Sequence, residues 1–582
     1  MTVIFDNPAT FADEALAGFI AANRQYVLPV DGGVVRAAAL HPGQVALVIG
    51  GGSGHYPAFA GWVGTGLAGA AACGNMFASP SVGQIVRVAE AANAGGGVLL
   101  AYGNYAGDVL HFGQAQRRLN AAGIETRSIA VTDDIASGPI GERDKRRGIA
   151  GDLTVFKIAG AAADAGLSLD EVERLAIKTN ERTRSLGVAF SGCTLPGSDT
   201  ALFDVPQGQM SIGLGIHGEP GISEEPMRTA SELADLLVRS LLADVPEQAG
   251  MRVVPILNGL GTVKYDELFL LFGKIDALLT AAGLEVVEPE CGELITSLDM
   301  AGVSLTLLWL DEEIAPLWSA PADTAAYRKG TPSAAITGGA DPGARPAVAT
   351  PATERVAAQA TEQPTAEQAV RLGHLAIALL ASVQAVVIDN EKLLGDLDSV
   401  AGDGDHGIGM RRGADAAALA AQNAAGSGVL TVLTQAGDAW SERAGGTSGA
   451  LWGAALHAAG QSLGNREAYS RDDLANAAHA FAGAITELGK AKQGDKTMVD
   501  ALLPYVAALT HHLADGVTPA EASTRAAHSA YQAAEQTAEL RPRLGRARPL
   551  AEKSLGHPDP GAISFALIAL GLAATFSEGA TK

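Results

Sequence analysis

Along residues 1–330, short apolar runs alternate with stretches of helical period. The runs at 45–49, 97–101, 129–131 and 187–190 read as buried strands closed by glycine or a polar turn. Those at 253–257, 285–287 and 303–310 repeat the theme after a long middle section. This alternation predicts an α/β domain over 1–330, in two lobes. From residue 365 the pattern turns helical: Leu372, Leu375, Leu379, Val383 and Val386 follow a period near 3.6. Thr365 with Gln368, and Thr518 with Glu521 behind Pro519, predict helix starts as capping boxes. More amphipathic segments follow, parted by Gly, Pro or Asp, and no convincing strand interrupts them. An all-helical domain is expected over 365–582.

Between the two lies a compositional break. Residues 331–364 are rich in Ala, Pro, Thr and Gly and hold no aromatic side chain, so they bury little apolar area. A mobile linker is expected there, spanning roughly 30 Å as a random coil and able to reach a neighbouring subunit.

Length agrees with this division, since 582 residues exceed what one core organises. The net charge of −23 repels phosphate backbones and anionic lipid heads over most of the surface. Nucleic acid and membrane partners are therefore not expected, and an anionic nucleotide needs a local site of metal, amides or arginine. The three cysteines, Cys73, Cys193 and Cys291, are far apart and form no metal spacing or disulfide framework. The N-terminus lacks a signal sequence, and apolar stretches such as 562–576 are too short for a bilayer. A soluble cytoplasmic protein is expected.

Candidate chemistry is concentrated in glycine-rich turns. The segment 396–407 reads D-L-D-S-V-A-G-D-G-D-H-G, with carboxylates at Asp398, Asp403 and Asp405. Carboxylates this dense repel one another unless a hard cation lies between them, and magnesium there would leave room for phosphate oxygens. A solvated acidic turn is the alternative; an EF-hand fits poorly, because Val400 stands where that pattern wants Asp or Asn. A-G-G-T-S-G at 444–449 can present amides and hydroxyls to phosphate where a helix begins, or be an ordinary cap. G-D-K-T (494–497), G-R-A-R (545–548) and G-H-P-D-P-G (556–561) complete the helical set. There is no P-loop and no protein-kinase motif, and His55 stands where a dinucleotide fingerprint from Gly50 would place its last glycine.

In the α/β region, one strand runs into G-G-G-S-G-H (50–55) and another into G-N-Y-A-G-D (103–108). G-L-G-I-H-G-E-P-G (213–221) carries His217. A lone histidine in a glycine turn is usually just exposed. His55, His217 and Asp108 each close such a segment, and together they suit a small polyol or carbonyl compound whose proton must be moved.

G-G-G-S-G-H, N-Y-A-G-D, G-I-H-G-E-P-G, G-D-G-D-H-G and G-H-P-D-P-G, in this order, resemble the fused ATP-dependent dihydroxyacetone kinases. The likeness spans nearly the whole chain outside the linker, and ordered motifs over two domains are far more specific than any one alone. It implies that His217 adds to the ketone carbon as a hemiaminal, which selects carbonyl sugars over glycerol. Asp108 would accept the proton of the terminal hydroxyl as it attacks the γ-phosphate. His55 would hydrogen-bond the substrate and assist proton transfer, and the Gly52-Ser53 turn would contact the sugar. Asp398, Asp403 and Asp405 would hold two Mg²⁺ ions bridging the ATP phosphates. His406, Gly446, Thr447, Ser448, Arg546 and Asp559 fall at nucleotide-binding positions. The implied helical fold is a barrel of eight antiparallel helices with ATP at one mouth, and the implied assembly is a homodimer.

Two departures bear on the substrate. Tyr56 stands where those kinases carry Glu, and Gly103 where they carry Lys, both at positions expected to flank the sugar pocket. Either they mark a pocket for a four-carbon ketose such as erythrulose, or they are tolerated drift around dihydroxyacetone. Two other classes remain open from sequence: a ketose-binding regulator without turnover, and a lyase that cleaves a nucleotide such as FAD.

Overall fold

The computed structural model describes residues 2–219, 221–330, 367–402, 404–544 and 551–579. The expected linker and the Thr365 helix start lie outside the described residues, as do Asp403 and Arg546.

The N-terminal region carries two large sheets. In the first, the order is Val27–Val30, Gly33–Arg36, Ala70–Met76, Ala46–Ser53, Val98–Gly103, Thr126–Val131. Its last four strands are parallel. Parallel strands are covered on both faces, which explains why 45–49 and 97–101 read as unbroken apolar runs. The second sheet runs Ser223–Pro226, Gln209–Ile212, Thr183–Ala189, Gly302–Trp309, Arg252–Gly259, Glu285–Val286. Its long strands are antiparallel. Helix Gly151–Asp164 packs on both sheets, and each sheet packs further helices on its far face, so the region has the two lobes expected. Helix starts follow local chemistry: Ser81 and Thr229 form capping boxes with Gln84 and Glu232.

Among the described residues the C-terminal region has eight long helices, from Glu367–Asp398 to Pro560–Gly579, and no strand. Each packs on the next in sequence, apart from a short turn of helix at Ala551–Ser554, and the last packs on the first, so the ring closes into a barrel. Thr518 caps helix Pro519–Gln536 by accepting the amide of Glu521, the N-cap half of the expected capping box, without the reciprocal bond among the described residues.

The first helix of the barrel is turned from its expected face. Leu375 is 37% exposed, and the buried stripe is Gly373, Ala376, Leu380, Val383 and Val387. The reason is a close approach: a Cβ on Gly373 would lie 2.0 Å from the Ser427 carbonyl oxygen. Small residues let the neighbouring chain come near, and that contact outweighs the larger leucines beside it. This helix is also long and apolar enough to cross a bilayer by length and composition. Its buried stripe instead joins the barrel core with Met410, Val432 and Ala569.

Helices of the two regions touch. Helix Ala106–Ala121 packs on helix Gly446–Leu463, and Val82–Ala92 on Val429–Ala444. Arg87 pairs with Glu442 across this contact at 2.7 Å, both partly exposed. The contact brings the carboxyl ends of the parallel strands to face one mouth of the barrel.

Candidate active site

Strand Ala46–Ser53 ends two residues before His55, and strand Val98–Gly103 ends just before helix Ala106–Ala121, which carries Asp108 in its first turn. Both turns lie at the carboxyl edge of the parallel sheet, where α/β sheets bind ligands. The second lobe supplies His217 from the loop after strand Gln209–Ile212. The three side chains are buried, at 1% (His55), 8% (Asp108) and 8% (His217) exposure. They line one narrow cavity with Gly52, Gly103, Tyr105 and Asp152.

The two histidine rings stand close together, with centroids 4.8 Å apart. His55 Nε2 lies 3.0 Å from His217 Nε2. On its other side, His55 Nδ1 donates to the Thr296 carbonyl at 2.7 Å. That bond puts the His55 proton on Nδ1, so Nε2 offers a lone pair. Burial, then the neighbouring His217, lower the His55 pKa to about 3, so the ring is neutral at ordinary pH. Phe77 stacks on His55 with centroids 4.9 Å apart, and Tyr105 meets His217 edge-on at 4.6 Å. A Cβ on Gly54, whose φ is +102°, would lie 2.7 Å from the Phe77 ring, so the turn and the stack require glycine together.

Glu219 completes the arrangement. Its Oε1 lies 2.9 Å from His217 Nδ1, and its Oε2 accepts the His217 backbone N–H at 3.1 Å. The G-I-H-G-E-P-G segment by itself gives Glu219 no role. The available signal was a carboxylate two residues after the histidine, a spacing that lets it orient the ring it follows. Arg147 stands 4.0 Å from Glu219 and pairs with Asp134 at 2.8 Å.

Two expected sugar contacts lie elsewhere. The Ser53 hydroxyl donates to Gly74 O at 2.6 Å. Tyr56 is 51% exposed, with its ring edge-on to Phe19, and turns away from the cavity. Its backbone carbonyl accepts the Thr296 hydroxyl. Gly52 and Gly103 do line the cavity.

Across the domain contact, Asp398 ends one helix and His406 begins the next. Asp398 Oδ2 accepts the His406 amide at 3.2 Å, and His406 Nε2 meets Ser564 Oγ at 3.0 Å. Asp405 faces the cleft between the domains. Crowding by the surrounding protein and repulsion from Asp398 raise its pKa, although the residue keeps an exposed face. Asp559 accepts the Ala562 amide at 2.7 Å, as a helix cap does. Burial, with Asp500 and Asp398 nearby, raises it to about 7. Arg412 is the charge sequence reasoning missed here: on the face of the helix seven residues beyond Asp405, it partly offsets that carboxylate. The oxygen donors and their mutual repulsion fit a hard divalent cation at Asp398 and Asp405.

Gly446, Thr447 and Ser448 form the first turn of helix Gly446–Leu463, next to the helix that carries Asp108. A Cβ on Gly107 would lie 3.3 Å from Gly446 Cα. G-D-K-T has a structural part: Asp500 accepts the amides of Gly494 and Thr497, and buried Lys496 donates to the Ser554 carbonyl.

Comparison with known proteins places these features. Residues 17–326 match the Dak1 domain and residues 400–574 the DAK2 domain. The chain is 53% identical to L-erythrulose kinase of Pectobacterium atrosepticum, over 100% of this chain and 98% of that one. It is 51% identical to D-erythrulose kinase of Mycolicibacterium smegmatis, over 98% and 97%. The crystal structure of the dihydroxyacetone kinase from C. freundii in complex with AMP-PNP and Mg²⁺ superimposes with a TM-score of 0.52 at 31% identity, covering 98% and 99%.

Proposed function

This chain belongs to the two-domain dihydroxyacetone kinase family, and we propose from that premise that it phosphorylates a terminal hydroxyl of erythrulose with ATP. ATP-dependent phosphorylation of a short ketose is the activity; four carbons rather than three is the finer reading. It is supported by whole-chain likeness to kinases of both erythrulose enantiomers and by the side-chain-free position at Gly103.

The chain's own residues suggest the order of events. The ketose displaces the contact between the two histidine Nε2 atoms. With its Nδ1 proton held toward Glu219, His217 presents the Nε2 lone pair to the ketone carbon. The C–N bond forms as the carbonyl π pair moves to oxygen, and one net proton passes from Nδ1 to the new hydroxyl, leaving a neutral hemiaminal. His55, neutral and held by Thr296, accepts a hydrogen bond from the bound sugar. Asp108 takes the proton of the terminal hydroxyl as its oxygen attacks the γ-phosphorus and ADP departs.

Asp398, Asp403 and Asp405 are the proposed magnesium ligands, and two ions are proposed on family membership. Bound there, magnesium neutralises charge developing on the phosphates. His406, Gly446, Thr447, Ser448, Arg546 and Asp559 are proposed to hold the nucleotide. A homodimer is proposed on family membership. A cytoplasmic location is supported by the free thiols of Cys73, Cys193 and Cys291. No observation favours a regulator without turnover or a nucleotide lyase.

The observation that carries the reading is that Asp108, His55 and His217 line one cavity, beside the helix start at Gly446. A coupled ADP-release assay with Mg-ATP tests it across D-erythrulose, L-erythrulose, dihydroxyacetone and glycerol. Strongest turnover on one erythrulose is expected. Strongest turnover on dihydroxyacetone removes the four-carbon reading, and none on any ketose removes the kinase.

A further inference from the structure

The sugar cavity holds a carboxylate that the steps above leave idle. Asp152 sits in the first turn of helix Gly151–Asp164, is 2% exposed, and lines the cavity with Asp108 and His217. Its Oδ1 is buried with no hydrogen-bond partner among the described residues. Its neighbour Asp133 is differently placed, since its oxygens accept the amides of Ile149 and Gly151. A buried carboxyl left short of partners is destabilising, and its other oxygen, Oδ2, is the one that faces residue 103, where a ligand can meet it.

The space before Asp152 is narrow, and the lack of a side chain at residue 103 is what keeps it free. A Cβ built on Gly103 would lie 3.4 Å from Asp152 Oδ2 and 3.2 Å from the Tyr105 ring. Any larger side chain there would cover the carboxylate. Burial, then Asp133 and Asp108, also raise the Asp152 pKa well above the ordinary carboxylate range. A neutral carboxyl both donates to and accepts from a hydroxyl, which a carboxylate does not.

We infer that Asp152, looking across the opening left by Gly103, holds the hydroxyl by which a four-carbon ketose exceeds dihydroxyacetone. The two residues together select the longer sugar. This rests on the ketose-kinase reading and deepens it: Asp152 is a specificity residue, apart from the groups that form the hemiaminal and move the reacting proton. A polar site that hydrogen-bonds a substrate hydroxyl rejects the analogue lacking it, because its own group is then left unpaired.

The test uses the full-length protein and the preferred erythrulose enantiomer against dihydroxyacetone. Each sugar is measured twice: by steady-state turnover with Mg-ATP, and by calorimetric binding without nucleotide. For Asp152→Ala, the ratio of kcat/KM for erythrulose to that for dihydroxyacetone is expected to fall at least about tenfold, chiefly through KM. Asp152→Asn, which keeps an acceptor and a donor, should lose less, and Gly103→Ala should lower the same ratio by bulk. If Asp152→Ala does not fold, the Asn and Gly103 variants decide. An unchanged ratio, or equal loss on both sugars, overturns the inference. A wild-type protein that binds erythrulose without turning it over sinks the kinase reading alone, and the binding ratios then judge Asp152.

Discussion

The sugar cavity and the aspartate loop settle their charges in different ways before any ligand arrives. In the cavity, His55 and His217 are fixed by Thr296, by Glu219 and by aromatic rings, and His55 is neutral by burial. In the loop, Asp398 and Asp405 crowd together, and crowding and its neighbour raise the pKa of Asp405. The first site is organised by hydrogen bonds the chain supplies itself. The second stores repulsion that the proposed cation would relieve. A nucleophile must be aimed before the substrate comes, whereas a metal site needs only donors close enough to converge when the ion enters.

The sharpest way to break this comparison is to remove a reacting group from the organised side. Asp108→Asn is expected to lower kcat by about 10³-fold with little change in melting temperature, as loss of a general base does. Near-normal turnover would remove Asp108 as base. His217→Ala should abolish the covalent adduct, read as loss of the sugar mass increment on intact protein. It should also cost most of the discrimination against glycerol.

On the charged side, Asp405→Ala should weaken Mg-ATP binding by roughly 10- to 100-fold while leaving ketose binding in place. Calorimetry with each ligand separates the two. If both affinities fall together, the sites are not independent in the way proposed.

Glu219→Gln sharpens the contrast, because it keeps the shape and removes the charge that orients His217. A loss of about tenfold in kcat/KM is expected, less than for removal of the histidine itself. An effect as large as His217→Ala would mean that Glu219 takes a direct part in the chemistry.

The smallest expected effect is in stability against pH. Asp405 and Asp559 bind protons in the folded protein up to about 7, against 3.8 when unfolded. The metal-free protein should therefore lose stability as pH rises through that window. Added Mg²⁺ should raise the melting temperature more at pH 8 than at pH 6, where protons compete for the same oxygens. His55 acts in the opposite sense: with a folded value near 3 against 6.5, it contributes stability above 6.5 that is lost as pH falls toward 3. Equal Mg²⁺ stabilisation at both pH values would contradict the stored-repulsion picture.

Glycine-rich turns after apolar runs located His55, Asp108 and His217, because strand ends and turn residues are local properties of the chain. The aspartate loop was legible for the same reason. What sequence reading missed depends on distance through space. Glu219 was seen but given no role, since only the folded loop places its carboxylate on Nδ1. Asp152 is 44 residues beyond Asp108 and enters the cavity from another helix, and nothing in its surroundings along the chain marks it. Tyr56, adjacent to His55 in sequence, turns outward, with its ring edge-on to Phe19 of the N-terminal helix Phe11–Ala22.

The sequence by itself determined the division into an α/β region and a helical region, the strand ends beside His55 and Asp108, and the acidic loop. Each rests on periodicity, turn chemistry or charge within a few residues. Tertiary structure decided which face of helix Glu367–Asp398 is buried, because a backbone approach at Gly373 outweighs a leucine stripe. It also decided the tautomer of His55 and the idle carboxylate of Asp152. Hydrogen-bond partners and desolvation arise only when distant segments pack, and a linear pattern does not contain them.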